Sequence, residues 1–306
     1  MKMGLLGICC ALVLGTLARP ALPADLQKIN IGYIPVADIS PAFVAKDKGY
    51  FEKHGLDVTL TKILLASNIP GALVSQSLDI GLGTAPMLLV TSESGLDLVA
   101  IAGISRLETA NPFVSLIARP AANIKTAADM KGKKLGVPGF NSSMDVSIRK
   151  WLMDRQVAPT DVSFVEAIFP QMHDMLANGT LDAAIVLEPF RSLILKDGTG
   201  LKVSDFYADL SPDALAAFWM AKADWAAAHR DVIPAFRAAL AEGIDDLTKN
   251  PAEFQAIQIK YLGFASPAIP SFSLKVTKDD LVFFADMSKQ VGLIHQTPQY
   301  DKLLAP

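Results

Sequence analysis

The sequence predicts an α/β protein built from two open, mostly parallel sheets that are flanked by helices. Short apolar strands alternate with capped helices between Lys28 and Ile101, and a second alternation begins after Pro112. A polar stretch at 106–111 separates the two alternations. Four strands that take turns with three helices favour parallel pairing, because right-handed crossovers join such strands. With 306 residues, 51% of them hydrophobic, the chain is long enough for two domains or one large domain.

Residues 1–24 have the pattern of a secretory signal peptide. Lys2 supplies the positive start, residues 4–17 form an apolar run too short to span a membrane, and Ala24 is a small residue at a suitable cleavage site. We therefore expect a cleaved leader and a periplasmic protein. An uncleaved membrane anchor is the less favoured alternative.

Cysteine usage and charge limit the chemistry of the mature chain. Cys9 and Cys10 both lie in the leader, so no thiol would remain for a disulfide or a nucleophile. Removal of the leader also takes away Lys2 and Arg19, which leaves 26 basic and 31 acidic residues and a net charge of −5. Nucleic acid and anionic lipid are therefore poor partners. The sequence contains no metal-ligand spacing, phosphate loop or catalytic motif, so we expect neither metal nor cofactor.

Proline and glycine mark the helix boundaries of the first alternation. Pro41, Pro70 and Pro86 each fall in a predicted first turn, where the missing N–H costs no helical hydrogen bond. Gly55 and Gly95 follow predicted helix ends, where glycine adopts the left-handed conformation. The predicted elements are strands 28–34, 56–63, 78–82 and 97–101 and helices that begin at Pro41, Ser67 and Thr84.

The second alternation uses the same signals and leads to a helical tail. Its predicted elements are strands 113–118, 135–137, 162–167 and 181–187 and helices that begin at Thr126, Asn141 and Pro170. A return strand is expected at 218–220, after the polar stretch that follows Asp205. Amphipathic patterns at 231–250, 251–262 and 278–291 predict helices that cover the sheet faces.

The helix start at residues 141–143 is the best candidate for ligand contact. Asn141, Ser142 and Ser143 are good N-cap residues, and Asp145 stands three residues after Ser142, which is the capping-box spacing. Gly139 lets the backbone turn tightly, so a small ligand could reach the free amides of the first turn. An ordinary capped surface helix is the alternative interpretation.

Four stretches resemble a known protein family. They are KDKGYFEKHGLDVTL at 46–60, ALVSQSLDIGLGTAP at 72–86, DMKGKKLGVPGFNSSMDVSIRKWL at 129–152 and FPQMHDMLANGTLDAAIVLEPF at 169–190. In this order they resemble the sulfonate, taurine, nitrate and thiamine-precursor solute-binding proteins of ABC importers. The resemblance implies a two-lobed periplasmic binding protein of type 2. Such a protein captures a small organic solute between its lobes and delivers it to an inner-membrane permease and its ATPase.

The resemblance also implies a domain division and a set of ligand contacts. Residues 25–113 and 217–306 would form lobe 1 and residues 114–216 lobe 2, joined by two crossing strands in a monomer. The implied ligand-binding residues are Asp38, Ser40, Ser67, Asn68, Thr84, Asn141, Ser142, Ser143, Glu188 and Trp219. Each has an alternative role: the serines, Asn68 and Thr84 suit helix caps, Glu188 suits a hinge hydrogen bond, and Trp219 suits the core.

One departure from the family bears on the solute. Sulfonate and nitrate binders of that family often carry a histidine near the positions that Met144 and Asp145 occupy here. The carboxylate of Asp145 would also repel an anion unless it is turned away as a helix cap. Sulfonate and nitrate are therefore disfavoured as solutes.

Two other functions share parts of this pattern. A thiamine-pyrimidine synthase that resembles the family uses a lysine, a histidine and a Cys-rich segment, and nothing here matches them. The four histidines at 54, 173, 229 and 295 lie apart in sequence. A binding lobe that feeds a membrane sensor would show the same sequence features as an importer component, so that alternative stays open.

Overall fold

The computed structural model describes residues 26–265 and 268–305, and the signal peptide predicted at 1–24 lies outside these residues. The strands are β1 (Gln27–Tyr33), β2 (Leu56–Lys62), β3 (Ile80–Gly83), β4 (Leu98–Glu108), β5 (Val114–Ala118), β6 (Lys134–Val137), β7 (Ser163–Glu166), β8 (Ala183–Leu187), β9 (Leu201–Ser204), β10 (Asp213–Lys222) and β11 (Ser271–Phe272). The helices are α1 (Ser40–Asp47), α2 (Tyr50–Lys53), α3 (Ile69–Val74), α4 (Ala85–Glu93), α5 (Ser143–Asp154), α6 (Phe169–Ala177), α7 (Phe190–Lys196), α8 (Ala223–Ala228), α9 (Val232–Lys249), α10 (Pro251–Leu262) and α11 (Lys278–Gln290).

The strands form two separate sheets. The first has six strands in the order β11-β4-β10-β3-β1-β2, and the second has five in the order β7-β6-β8-β5-β9. The chain passes from the first sheet to the second between β4 and β5 and returns between β9 and β10. Two peptide segments, 109–113 and 205–212, therefore connect the sheets. The α/β class and the two-sheet architecture expected from the sequence are confirmed.

Strand direction explains how far the parallel prediction holds. In the first sheet β1 pairs in parallel with both β2 and β3, and β4 shares their direction because β10 lies antiparallel between β3 and β4. In the second sheet β6 pairs in parallel with β7 and β8, whereas β5 is antiparallel to β8 and β9. Strands β1 to β4 thus run the same way, as do β6, β7 and β8, and the antiparallel strands β5, β10 and β11 make the sheets mixed.

Several predicted elements have different bounds in the structure. The single helix expected from Pro41 to Gly55 is two helices, because Gly49 has the left-handed φ of 72° and ends the first. The strand expected at 97–101 continues to Glu108, since β10 pairs along its whole length and β11 pairs with Ser105 and Arg106. The helix expected at Thr126 is only a short 3-10 turn with a capping box.

Helices α1 and α9 pack closely over the first sheet. Gly243 of α9 lies against the backbone of α1, where a Cβ atom would stand 2.4 Å from the carbonyl oxygen of Pro41. Phe43 of α1 stacks on Tyr261 with ring centroids 4.2 Å apart, and Phe51 stacks on Phe236 of α9. These contacts place the largest apolar side chains beneath the sheet. No helix among the described residues is both long and apolar enough to cross a membrane.

We predict opposite effects of alanine at two helical glycines. Gly243→Ala should lower the free energy of unfolding by about 1 to 3 kcal/mol, because the new methyl group meets backbone that cannot move aside. Gly71→Ala in α3 is the matched control: its Cβ would meet nothing within 4 Å, so stability should rise by roughly 0.5 to 1 kcal/mol. Urea denaturation measures both. Equal effects at the two sites would contradict the close packing of α1 and α9.

Candidate functional site

A cavity of about 60 Å³ lies between the two sheets. The side of the first sheet contributes Ile34, Val36, Asp38, Ala66, Leu82, Thr84, Ala216 and Ala217, and the side of the second contributes Pro138, Ser142, Ser143, Met144, Phe169 and Leu187. The carboxyl ends of β1, β3, β6 and β8 all face this space, which is the edge where open α/β sheets bind ligands. One water molecule needs about 10 to 15 Å³ of such space, so the cavity is large enough for a small solute.

Three oxygen atoms in this cavity are buried without a hydrogen-bond partner. They are Oδ1 of Asp38, Oγ1 of Thr84 and Oγ of Ser143. The three residues are 4%, 7% and 2% exposed, so bulk water does not satisfy them. A buried polar atom without a partner costs about 1 to 3 kcal/mol, and native proteins keep few of them. Their convergence on one cavity is the arrangement expected where a bound molecule supplies the missing partners.

A tight turn after β1 holds Asp38 in the cavity. Residues 37–39 form a 3-10 turn, and the Ser40 hydroxyl donates to the carbonyl oxygen of Ala37 at 2.7 Å. The Ser105 hydroxyl on β4 donates to Oδ2 of Asp38 at 3.0 Å, which leaves Oδ1 free. Burial raises the pKa of the Asp38 carboxyl to about 6, and the bond from Ser105 only partly opposes this. Asp38 is therefore an acid whose ionised form is costly in the empty cavity.

The start of α5 presents hydroxyl groups to the cavity and turns its acid away. Ser142 is the N-cap, and its Oγ accepts from the backbone N–H of Asp145 at 3.3 Å. The carboxylate of Asp145 accepts from the N–H of Asn141 at 3.0 Å and from Nε of Arg149 at 2.7 Å. Burial raises the pKa of Asp145, and the charge of Arg149 opposes that shift. Ser143 is left beside the first-turn amides, which have no partner inside a helix.

Thr84 has the position of a helix cap without that function. It precedes α4 as the N-cap residue, but its side chain makes no capping hydrogen bond. The hydroxyl instead lies buried at the cavity. The alternative interpretation of Thr84 as a plain cap therefore does not describe its side chain.

The structure brings four of the ten predicted site residues to the cavity and places six elsewhere. Asp38, Thr84, Ser142 and Ser143 border the cavity. Ser40, Ser67, Asn68, Asn141, Glu188 and Trp219 do not. Their contacts explain most of these placements.

Glu188 and Trp219 have structural contacts. The fully buried carboxylate of Glu188 accepts from Nη1 of Arg191 at 3.0 Å and from the Ser192 hydroxyl at 2.9 Å. Trp219 is 2% exposed and packs edge-to-face against Phe236 of α9, on the core side of β10. Trp219 therefore makes the core contact that was its alternative role.

The remaining residues lie beside the cavity. Ser40 holds the turn that carries Asp38, and Asn141 has a left-handed φ of 63° in the turn before α5. Ser67 and Asn68 are exposed, and the neighbouring Ala66 faces the cavity in their place. Their alternative role is not observed either, because the Asn68 side chain does not cap α3.

The sequence did not identify the apolar walls of the cavity. Met144, Phe169 and Leu187 line the side of the second sheet, and Ile34 and Leu82 line the other side. Apolar residues of this kind are indistinguishable from core residues in a single sequence. Their position directly after a strand or at a helix start was the one available signal.

The cavity has no basic side chain and no metal-binding cluster. Asp38 is the one ionisable residue among the described residues that line it. Within 26–265 and 268–305, no three His, Cys, Asp or Glu side chains are grouped to hold a metal ion. The arrangement offers hydrogen-bonding groups set in an apolar wall, which is typical of small-molecule binding sites.

A family model described as NMT1/THI5 like matches residues 36–254. The chain belongs to this family. It is 30% identical over 197 residues to the nitrate import ATP-binding protein NrtC of Synechocystis sp., a match that covers 58% of this chain and 29% of that protein. It is 26% identical over 171 residues to a Haemophilus influenzae protein named for thiamine biosynthesis, covering 55% and 52% of the two chains. The chain thus spans about half or less of these relatives.

The fold is that of a periplasmic binding protein. The chain superimposes on the periplasmic aliphatic sulphonate binding protein SsuA of Escherichia coli with a TM-score of 0.74, covering 91% of this chain and 97% of that one. The two are 19% identical, so the likeness shows the fold alone. The names of these proteins refer to different small molecules.

We predict that Asp38→Asn stabilises the protein in the absence of solute. Because the folded pKa lies above the usual value of an aspartate, the folded state loses stability as the pH rises from about 4 through about 6. At pH 7.5 the substitution should raise the free energy of unfolding by about 1 to 3 kcal/mol, and at pH 4 by much less. Denaturant titrations at both pH values measure this.

The exposed Asp286→Asn is the matched control and should change stability little at either pH. If Asp38→Asn were no more stable than the parent at pH 7.5, Asp38 would have a favourable partner in the folded protein. The cavity would then not be an incomplete site.

Proposed function

We propose that the protein is the extracytoplasmic solute-binding component of an ABC importer and carries no catalytic activity. The observation that carries the proposal is the group of three unpartnered, buried oxygens on Asp38, Thr84 and Ser143 at the cavity between the sheets. Membership of the NMT1/THI5-like family and the fold of a periplasmic binding protein support it. In this proposal a small organic solute fills the cavity and completes those hydrogen bonds.

The histidines support a binding role over the enzyme alternative. His54 pairs with Glu242, His173 lies between Asp174 and Asp197, and His229 stacks on Trp225. None of them borders the cavity, nor does a lysine among the described residues. A synthase that used a lysine and a histidine would need both groups within reach of its substrate. The cavity offers one carboxyl and hydroxyl groups, which bind and orient but supply no evident nucleophile–base pair.

We propose residues 25–113 and 217–306 as lobe 1 and residues 114–216 as lobe 2. The segments 109–113 and 205–212 would act as the hinge, because they are the two places where the chain passes between the sheets. The strand β10 already pairs with β4 of the first sheet from Asp213, so the return crossing would end a few residues before 217. Each lobe would move as a unit around the solute.

Contacts across the cavity support the proposal that the described conformation would be the closed one. The backbone N–H of Ala37 donates to the carbonyl oxygen of Glu188 at 3.2 Å, which links the turn after β1 to the end of β8. Phe190 of α7 meets Phe264 edge-to-face with centroids 5.0 Å apart. Gly139 lies so close to the opposite side that its Cβ would stand 3.0 Å from that of Ala66. A solute would enter only after these contacts separate.

The cellular setting follows from the same proposal. The signal-peptide pattern at 1–24 would direct the chain to the periplasm, where it would act as a monomer. The closed, solute-bound form would dock on an inner-membrane permease with its ATPase. A membrane sensor could use the same closed form, and a permease gene beside this one would favour import.

We predict that the purified mature chain binds a small organic solute and does not convert it. Solute at about 100 times its dissociation constant should add roughly 2.7 kcal/mol to stability. A thermal-shift screen of small amines, pyrimidines, amides and acids measures this, with product analysis of each hit. Appearance of a reaction product, or no stabilisation by any compound, would contradict the proposal.

We predict that Gly139→Trp prevents closure without unfolding the protein. The indole would occupy the space now filled by Ala66 across the cavity, so solute affinity should fall at least tenfold. In small-angle scattering, the variant with solute should have a larger radius of gyration than the parent with solute. Gly71→Trp, on an exposed surface with open space, is the matched control and should behave as the parent does. Unchanged affinity in Gly139→Trp would show that the two sides of the cavity need not come together for the solute to bind.

A further inference from the structure

The charge around the cavity is the feature that identifies the chemical class of solute. Asp38 is the one ionisable side chain among the described residues that line the cavity, and it is 4% exposed. Its Oδ2 has the Ser105 hydroxyl as a donor, and its Oδ1 has none. Hydrogen bonds from neutral hydroxyls leave the charge of a buried carboxylate uncompensated, and a buried charge is stable only when it is paired.

The partial positive charge at the start of α5 does not outweigh the negative charge of Asp38 in the cavity. The N-terminus of a helix is equivalent to about half a positive elementary charge. An ionised Asp38 contributes a full negative charge, so the negative term is the larger one. The helix end still favours a carbonyl or another acceptor beside Ser143, which is itself unpartnered and 2% exposed.

No other titratable group competes for Asp38. Behind the turn that carries it, a second, smaller space is lined by Asp38 and Ile39 of the turn, by residues of α1, β4, β10 and α9 and by Leu274. Apart from Asp38, none of the described residues there has an ionisable side chain. Three acids of the second sheet side, Asp145, Glu166 and Glu188, accept hydrogen bonds outside the cavity lining, and Glu188 pairs with Arg191. Asp38 therefore titrates without a protein partner of either charge.

We propose that the solute is a small organic cation, with a protonated amine, amidine or amino-heterocycle nitrogen that pairs with Asp38, an acceptor group at the start of α5, and an apolar remainder. This rests on the proposed binding function and adds the class of molecule that the site takes. The positive nitrogen donates to Oδ1 of Asp38, and the hydroxyls of Thr84 and Ser143 bond the polar groups beside it. Met144, Phe169 and Leu187 cover the apolar part.

Two sets of nearly isosteric probes test the charge directly. Acetamidine, acetamide and acetate have the same shape and carry charges of about +1, 0 and −1, and benzamidine, benzamide and benzoate form a larger set. Thermal shifts at pH 7.5 and equal concentrations compare the three members of each set. We expect the amidine to stabilise the protein most, the amide less, and the carboxylate not at all.

The variant Asp38→Asn removes the charge that would pair with the solute but keeps the shape of the side chain. In this variant the amidine should lose its advantage over the amide. Asp286→Asn, an exposed acid far from the cavity lining, should keep the parent's order. Melting curves without probe report whether each variant is folded.

The unaltered protein gives a second measurement that needs no variant. An amidine stays protonated throughout this range, so its affinity should follow the ionisation of Asp38. With a carboxyl pKa of about 6, affinity should fall about tenfold between pH 7.5 and pH 5. Affinity for the amide should not fall over the same interval. A rise in amidine affinity at pH 5 would show that Asp38 acts as a protonated donor, which overturns the proposal.

The outcomes distinguish this proposal from the function on which it rests. If an amide or a carboxylate stabilises the protein more than its matching amidine, the protein binds solutes but the cation assignment is wrong. If Asp38→Asn is folded and still prefers the amidine, the pairing lies elsewhere and the proposal fails. If no member of either set stabilises the parent up to millimolar concentration, the solute-binding function itself is contradicted, together with the cation assignment.

Discussion

The burial of one carboxylate between two sheets is the constraint on which the site depends. Asp38 lies at the cavity on a tight turn that the hydrogen bond from the Ser40 hydroxyl to the Ala37 carbonyl stabilises. The Ser105 hydroxyl donates to one of the two carboxylate oxygens of Asp38. Burial raises the pKa of the carboxyl to about 6, so at neutral pH the empty protein holds a charge that its own groups do not compensate. The empty site therefore lowers the stability of the folded protein, which is common where binding groups lack a partner until the ligand is present.

The fold explains why three unpartnered oxygens meet in one cavity. Parallel strands of each sheet end at the same edge, and the two edges face each other across the cavity, so that Asp38 and Thr84 meet Ser143. The two sides also touch directly, through the bond from Ala37 N–H to the Glu188 carbonyl and through the packing of α4 and α11 against α5. In the proposed function these contacts separate when the solute enters, which would couple closure to binding.

Local signals in the sequence predicted the helices and strands better than they predicted which strands pair. Proline in the first turns of α1, α3 and α4 and the alternation of strands with helices gave the α/β class, and these depend only on nearby residues. The insertion of β10 between β3 and β4 was not predictable, because that pairing joins residues more than a hundred positions apart. The resemblance placed Asp38 and Ser143 in the site. The core packing of Trp219 was not predictable, because strand position alone does not tell which face a side chain occupies.

A crystal structure of the solute-bound protein at neutral pH tests the central claim most directly. The account predicts a solute between the sheets, with polar atoms about 2.7 to 3.2 Å from Oδ1 of Asp38, Oγ1 of Thr84 and Oγ of Ser143. The atom beside Asp38 should be a nitrogen. A solute bound elsewhere, with these three oxygens still lacking partners, would contradict the account.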